Sequence, residues 1–372
     1  MSMSDKSFNF ENNDMMIQKV ISIFILILAF VAQAAGSRLF NDPGYRSFWI
    51  NRVSSQYGIS LDKAYSNFKN LKSTEIIVAV IDTGVDYTHK DLKNNMWVNL
   101  NEILDNGIDD DYNGYIDDVH GINLLERTSS GNGTGNPMDT HFHGTFIAGI
   151  IAAEQNNKTG TVGIASNVKI MAIRAIPSDA DEADKDVAEA LIYAAVHGAK
   201  IINCSFGKKA NQGGSLVAEA LDFIAKEYGV LVFASSGNFQ ENIDRVPLYP
   251  ASLTNDNLIV VAATDRDGKL TYFSSYGPVS VDVAAPGVDI YSTLLNNNYA
   301  FYFGTSVATP IVAGIAAEIW SKFPNLNFKE IKSVILNSTT PNKNLKNKIL
   351  TGGHVDLYKA LLMAQKISVK AI

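Results

Sequence analysis

The chain has 372 residues, 46% of them hydrophobic, enough to bury a large core. Its formal net charge of −7, with no basic block to offset it, argues against a nucleic-acid binder. The single cysteine, Cys204, rules out an intrachain disulfide framework and a cysteine-rich metal site.

The first recognisable stretch is Val20 to Ala35, VISIFILILAFVAQAA, an apolar run behind Lys19 that closes on Ala32-Gln33-Ala34. That is the layout of a signal peptide, and it is short for a membrane span of about 20 residues. Residues 1–35 are expected to be a leader cleaved near 34/35, with an uncleaved anchor as the alternative. Asp5, Glu11 and Asp14 suit a leader poorly, and Met15 or Met16 would make a cleaner start. The expectation is a secreted or periplasmic protein that touches membrane only through its leader, with 36–372 as one domain.

From Lys72 onward, short apolar runs alternate with helical patterns. Strands are expected at Ile76–Ile81, Lys169–Ile173, Lys200–Cys204, Val230–Ala234 and Leu258–Ala262. Helices are expected at Gly144–Ala153, Asp186–His197, Ser215–Tyr228, Val307–Trp320, Phe328–Leu336 and Val355–Gln365. Apolar strands separated by amphipathic helices predict an α/β fold, a mostly parallel central sheet with helices on both faces. Active sites of such sheets gather at the carboxyl ends of the strands.

Chemistry-bearing residues fall on those ends. IIVAVIDTGVD puts Asp82 where a strand stops, HFHGTFIAGI puts His143 at the mouth of a helix, and GVLVFASSGN ends a strand near Asn238. FGTSVATPIVAG puts Ser306 at the start of a buried helix, where free N–H groups and the helix dipole favour negative charge. Singly, each reads equally well as a turn or cap residue. Together, on junctions of one sheet, those plain readings are no longer comfortable, and Ser306 at a helix start is where an acyl-transfer nucleophile would want its oxyanion to develop.

The order Asp82, His143, Asn238, Ser306 with these flanks resembles the subtilisin-like serine proteases (subtilases, peptidase family S8). Asn203-Cys204-Ser205-Phe206-Gly207, YPAS at 249–252, FSSYGP at 273–278 and VAAPGVDIYST at 283–293 follow in family order. The resemblance runs from about Asp42 to Ala364. Departures are Phe142, Phe146, Val307 and Ile311, which put cleft shape rather than activity in question. It implies a subtilisin-like three-layer fold and a monomeric serine endopeptidase acting on protein or peptide substrates, without organic cofactor. Asp82, His143 and Ser306 would form the triad, and Asn238 would hold the oxyanion. Ser205, Phe206 and Gly207, with Ala251 of the YPAS stretch, would bind substrate. Cys204 alternates to the other face of its strand and reads as core. The alternative from another class is a catalytically silent subtilase fold serving as a binding module.

Two stretches point to calcium. Asp105–Asp118, DNGIDDDYNGYIDD, carries six acidic residues and no basic one. Asp109, Asp111 and Asn113 alternate before Gly114, followed by the Tyr115 carbonyl and Asp117, much as in a calcium loop. The terminal Glu of an EF-hand is missing, its place being held by His120, and the alternative is a solvated acidic turn. EQNNKTGTVG at 154–163 resembles the family's calcium loop. By that resemblance Asp91, the Asn157 side chain and the carbonyls of Gln155, Thr159 and Thr161 are ligands.

Between Ala34 and the first strand there are only about forty residues, and Trp49, Gly58 and Ala64 read as an N-terminal arm. A compact inhibitory domain normally needs upward of ~50 residues. The expectation is maturation by loss of the leader alone. Finally, PSDADEADKD at 177–186 holds Asp179, Asp181, Glu182, Asp184 and Asp186 against Lys185. The resemblance places this stretch beside the part of the cleft that takes residues before the scissile bond. The field of these five carboxylates, with Asp179 and Asp181 as substrate-binding residues, would favour Lys or Arg two to four residues upstream of the cut, an effect that salt and the change of Asp181 and Asp184 to Asn should weaken. The competing reading is an acidic helix entry.

Overall fold

The computed structural model describes residues 39–51, 56–210 and 214–370. The leader lies outside the described residues, and the fold below is that of the unit from Phe40 onward. A short helix α1 (Leu61–Phe68) precedes the first strand, β1 (Ile76–Asp82). Its β-branched run IIVAVID is buried almost throughout, as a central strand requires.

The strands that follow are β2 (Gly121–Arg127), β3 (Gly133–Thr134), β4 (Val168–Arg174), β5 (Ile201–Cys204), β6 (Leu231–Ser235), β7 (Leu258–Thr264) and β8 (Val283–Pro286). A hairpin, β9 (Ile290–Leu294) and β10 (Asn298–Tyr302), stands apart, and the chain ends with β11 (Thr340–Pro341) and β12 (Gly353–His354). The main sheet runs β11-β12-β8-β7-β6-β5-β1-β4-β2-β3. Pairings from β12 across to β2 are parallel, and the two-residue strands β11 and β3 close the edges antiparallel.

Alternation along these strands feeds two layers. Ala79, Ile81, Met171, Ile173, Ile202, Cys204, Val232 and Val260 face α3 (Asp184–Val196) and α4 (Leu216–Tyr228) in one cluster. Their neighbours Val78, Val80, Ile170, Ile201, Phe233 and Ile259 are equally buried. They belong to the opposite face, against which α2 (His143–Ala152) and α5 (Thr305–Lys322) pack. Helix α5 is buried from Thr305 to Ser321, which is why its sequence is apolar on all sides. Helices α6 (Phe328–Asn337) and α7 (Leu357–Lys370) complete the fold, α6 opened by a capping box between Asn327 and Glu330.

Two glycines bring the reacting segments together. A Cβ on Gly144 would lie 2.0 Å from the Gly84 carbonyl and 3.0 Å from Asp82 Cβ. Only glycine lets the mouth of α2 rest on the turn after β1. Gly304 caps α5 at φ +147°, a conformation that side chains avoid.

Candidate active site

Asp82 ends β1 almost fully buried, and its Oδ1 accepts a 2.8 Å bond from His143 Nδ1 at the start of α2. With Nδ1–H committed, Nε2 is the acceptor face of the ring. Burial alone would depress the imidazole pKa. The Asp82 carboxylate, with Asp139 behind it, outweighs that and raises it above its ordinary value. The ring opens into a cleft of about 640 Å³ whose walls include Ser205–Gly207, Asn238, Gly304 and Ser306.

Asn238 is oriented by Thr305, whose N–H and hydroxyl both donate to its Oδ1 at 2.9 Å. Its Nδ2 is left to face the cleft. The point where a Gly304 Cβ would sit lies 3.0 Å from Ser306 Oγ and 3.6 Å from Asn238 Nδ2. Glycine keeps open the space between nucleophile and amide donor, where an oxyanion would form. The four residues expected to act together thus meet at one place.

The family model described as the subtilase family, Peptidase S8, matches residues 73–353. The chain belongs to the subtilase family. It is 34% identical over 302 residues to subtilisin-like protease 1 of Plasmodium berghei, covering 76% of this chain and 49% of that protein. A thermophilic serine proteinase of Bacillus sp. (strain AK1) is 38% identical over 288 residues, covering 77% and 60% respectively. The chain thus spans about half the length of the first of these relatives. Among solved structures, a protease from Pseudoalteromonas arctica superposes with a TM-score of 0.70 at 25% identity, covering 88% of this chain and 99% of that one. The mostly parallel, helix-flanked sheet is the subtilase fold expected from sequence.

Of the expected substrate residues, Ser205, Phe206, Gly207 and Asp181 line the cleft of this subtilase, whereas Asp179 does not. Ala251 is buried in the core, behind the pairing of Lys208 with Tyr249 that ties the YPAS stretch to the Ser205–Gly207 segment. The acidic stretch is less free than its composition suggests. Asp184 pairs with buried Lys208 at 2.7 Å, and Asp186 pairs with Arg127. Cys204 is core, and burial pushes its thiol pKa up, far from a thiolate.

Sequence reasoning missed Asp139. Its buried carboxylate accepts from Thr83 Oγ1, the His141, Phe142 and Thr145 N–H groups and Thr145 Oγ1. Thr83 in turn accepts from Gly144 N–H at 3.0 Å, so one carboxylate ties the turn after Asp82 to the helix that carries His143. An Asp four residues before the His was the available signal.

At the 154–163 loop, Asp91 is fully buried and accepts from Asn157 Nδ2 at 2.7 Å and Thr161 N–H at 3.0 Å. Burial pushes its carboxyl up to about 6. Asn157 Oδ1 accepts from Thr159 N–H. Among the described residues, no backbone hydrogen bond ends on the carbonyls of Gln155, Thr159 or Thr161. Asp42, also missed, takes the N–H groups of Asn156, Asn157 and Lys158 from 114 to 116 residues away. In the acidic stretch, Asp109 and Asp111 gather with Glu102, one carboxylate oxygen of each lying within 4.8 Å of the others. Asn113 and Asp117 instead hold the loop's own backbone, Asn113 Oδ1 at Tyr115 N–H and Asp117 at the Asn106 and Gly107 N–H groups. Glu102 stands outside the alternating pattern, which is why spacing did not find it.

Proposed function

We propose that the chain is an exported serine endopeptidase that hydrolyses peptide bonds in protein or peptide substrates. The observation that carries this reading is the 2.8 Å Asp82–His143 bond, with the imidazole opening into the cleft that holds Ser306 and Asn238. Ser306 Oγ attacks the peptide carbonyl while His143 Nε2 takes its proton and then delivers it to the leaving amine. Asp82 keeps Nδ1 protonated and stabilises the cationic ring. The carbonyl oxygen, now anionic, is received by Asn238 Nδ2 and the Ser306 N–H at the start of α5. Water, deprotonated by the same imidazole, releases the acyl group. Ser205 to Gly207 offer extended backbone to the substrate.

Calcium fits both acidic sites. Asp91, Asn157 and Asp42 with the loop carbonyls would hold one ion, and Glu102, Asp109 and Asp111 another. Bound there, it would supply positive charge that pins the loops. Labelling with a fluorophosphonate probe tests the proposal. Ser306 should be the modified residue, peptide hydrolysis should stop with it, and Ser306→Ala should neither label nor cleave. A folded chain whose Ser306 stays unlabelled would instead be a silent subtilase fold.

A further inference from the structure

A second concavity, of about 380 Å³, lies between the turn after β1, the acidic loop and the segment that leads to His143. Its size falls within the roughly 300–1,000 Å³ of ligand pockets, and it shares no lining residue with the cleft that holds Ser306. One wall is a pair of rings. Tyr87 and His120 lie against each other, their centroids 4.7 Å apart and their planes tilted by 36°. Both are held in place. The Tyr87 hydroxyl donates to Asn136 Oδ1 at 3.3 Å, and His120 Nδ1 donates to the Trp97 carbonyl at 3.0 Å. The His120 carbonyl accepts from the Ala172 N–H of β4, so it is the ring that this residue offers to the pocket, with Nε2 left as an acceptor.

A free negative charge stands beside these rings. Burial raises the Tyr87 hydroxyl pKa, and the Asp105 carboxylate raises it further, ahead of Asp86, so Asp105 carries its charge near the phenol. Among the described residues the Asp105 carboxylate has no hydrogen bond or ion pair of its own. Asp117, the other carboxylate at the pocket, is spent on the Asn106 and Gly107 N–H groups. No lysine or arginine lines the pocket, and none occurs in residues 94–126. Arg127, the next in the chain, is held by Asp186 and Glu189. The carboxylates that converge as metal ligands among the described residues, Glu102, Asp109 and Asp111, do not line it either. Apolar side chains complete the surroundings. Leu104 and Ile116 line the pocket at 62% and 41% exposure, and Leu100, Ile103 and Ile108 of the same loop are each more than half exposed. Apolar surface gathered in this way marks a place where another molecule settles.

We infer that this pocket is an exosite for an arginine side chain of a protein partner, carried between apolar residues. The guanidinium stacks on the Tyr87–His120 pair and donates to Asp105, while the stem and its apolar neighbours cover Leu104 and Ile116. A lysine would keep the charge pair and lose the stacking of a flat cation on a ring. An anionic partner would face Asp105 with like charge. Because Asn136, which holds the Tyr87 hydroxyl, opens the segment that leads to His143, a protein bound here is held beside the catalytic cleft.

The test uses the full chain as Ser306→Ala, so that no peptide is consumed and the result does not depend on the peptidase reading. The probe is acetyl-Gly-Leu-Arg-Leu-Gly-amide with a photo-crosslinking group at one end, compared by Kd with its citrulline and lysine analogues. Citrulline keeps the shape of arginine and removes its charge. An exposed ion pair and a cation–π contact together predict an arginine-to-citrulline affinity ratio of about 3–30, with lysine between the two. The ratio should fall as salt rises and approach one in Asp105→Asn. Asparagine suits the left-handed backbone at residue 105, φ +59°, so this variant keeps the fold. Crosslinks should map to residues 104–120. A ratio near one overturns the assignment, as does a ratio that Asp105→Asn leaves unchanged. Equal binding of lysine and arginine removes the stacked guanidinium and overturns it too. So do crosslinks confined to 205–207 and 302–303, which would place the peptide in the cleft alone, and so does absence of binding at millimolar peptide.

Discussion

The hydroxyl of Ser205, on the substrate side of the cleft, donates a 2.8 Å hydrogen bond to the carbonyl of Ser306. That carbonyl would normally accept from the N–H four residues on, but residue 310 is proline and has none. Proline inside the nucleophile helix frees one acceptor, and Ser205 fills it. Asn203 Nδ2 holds the Ser205 hydroxyl in turn at 2.8 Å. Removing the hydroxyl in Ser205→Ala leaves a buried carbonyl unpaired. A loss of about 1–3 kcal/mol in urea unfolding is expected, with kcat falling more than KM rises. Unchanged stability would mean that the helix end relaxes without it.

Asn238→Ala should cost about 10²–10³ in kcat with little change in KM. That is the size established for the oxyanion asparagine of subtilisin itself. Asn238 Oδ1 also anchors Thr305, so Asn238→Asp, which keeps that acceptor but removes the amide donor, separates the two roles. Steady-state kinetics on both variants decide it.

His143 must be neutral to act as base, and its pKa lies above the ordinary value. The acid limb of kcat/KM should therefore fall above pH 6.5. Asp139→Asn removes one of the charges that raise it, so the limb should move to lower pH while the maximum falls. A limb that stays in place would limit Asp139 to holding the backbone.

Glu102, Asp109 and Asp111 converge, and Asp91 is buried with Asp42 near it. A cation bound only by the native state stabilises it by mass action, about 2.7 kcal/mol at a hundred times Kd. Chelation should lower the melting temperature, and calcium should restore it. Asp109→Asn together with Asp111→Asn should reduce that difference. Identical melting curves with and without chelator would argue against both sites.

His354 is 1% exposed, with Nε2 3.0 Å from Thr264 Oγ1, and burial lowers its pKa to about 4. The unfolded chain takes up a proton near pH 6.5 and the folded one only near pH 4. The stability contributed by the neutral ring is thus complete above pH 6.5 and lost as pH falls toward 4. The shift corresponds to about 3 kcal/mol. Between pH 7 and 4, His354→Gln should lose that much less stability than the native chain, as read by urea melts.

Sequence legibility followed the range of the interactions. Strands β1 and β4 to β7 were readable because a fully buried strand is apolar along its length. Helix α5 was readable for the same reason, though it begins at Thr305, two residues before the expected start. Asp82, His143 and Ser306 each sit at an element's end, where position follows from the strand or helix beside it, and Asn238 lies in the loop three residues beyond β6. Asp42, Glu102 and Asp139 were missed because their partners lie in loops whose course no local pattern sets. Asp184 looked like part of an acidic field. Its neutralising Lys208 sits 24 residues later, and a lysine that buried is not foreseeable from charge counting.

The contact of Gly144 with the Gly84 carbonyl bears on how this protein can vary. The spacing of base and orienting carboxylate rests on two main chains touching, with no rotamer between them to choose. Side chains around the cleft can therefore change in size and charge without detuning the proton transfer. Exposed cleft side chains such as Tyr272 and Phe303 are free to drift toward new peptides while the hydrolytic core stays in tune. A single methyl at residue 144 would do more harm than most exchanges along the cleft walls.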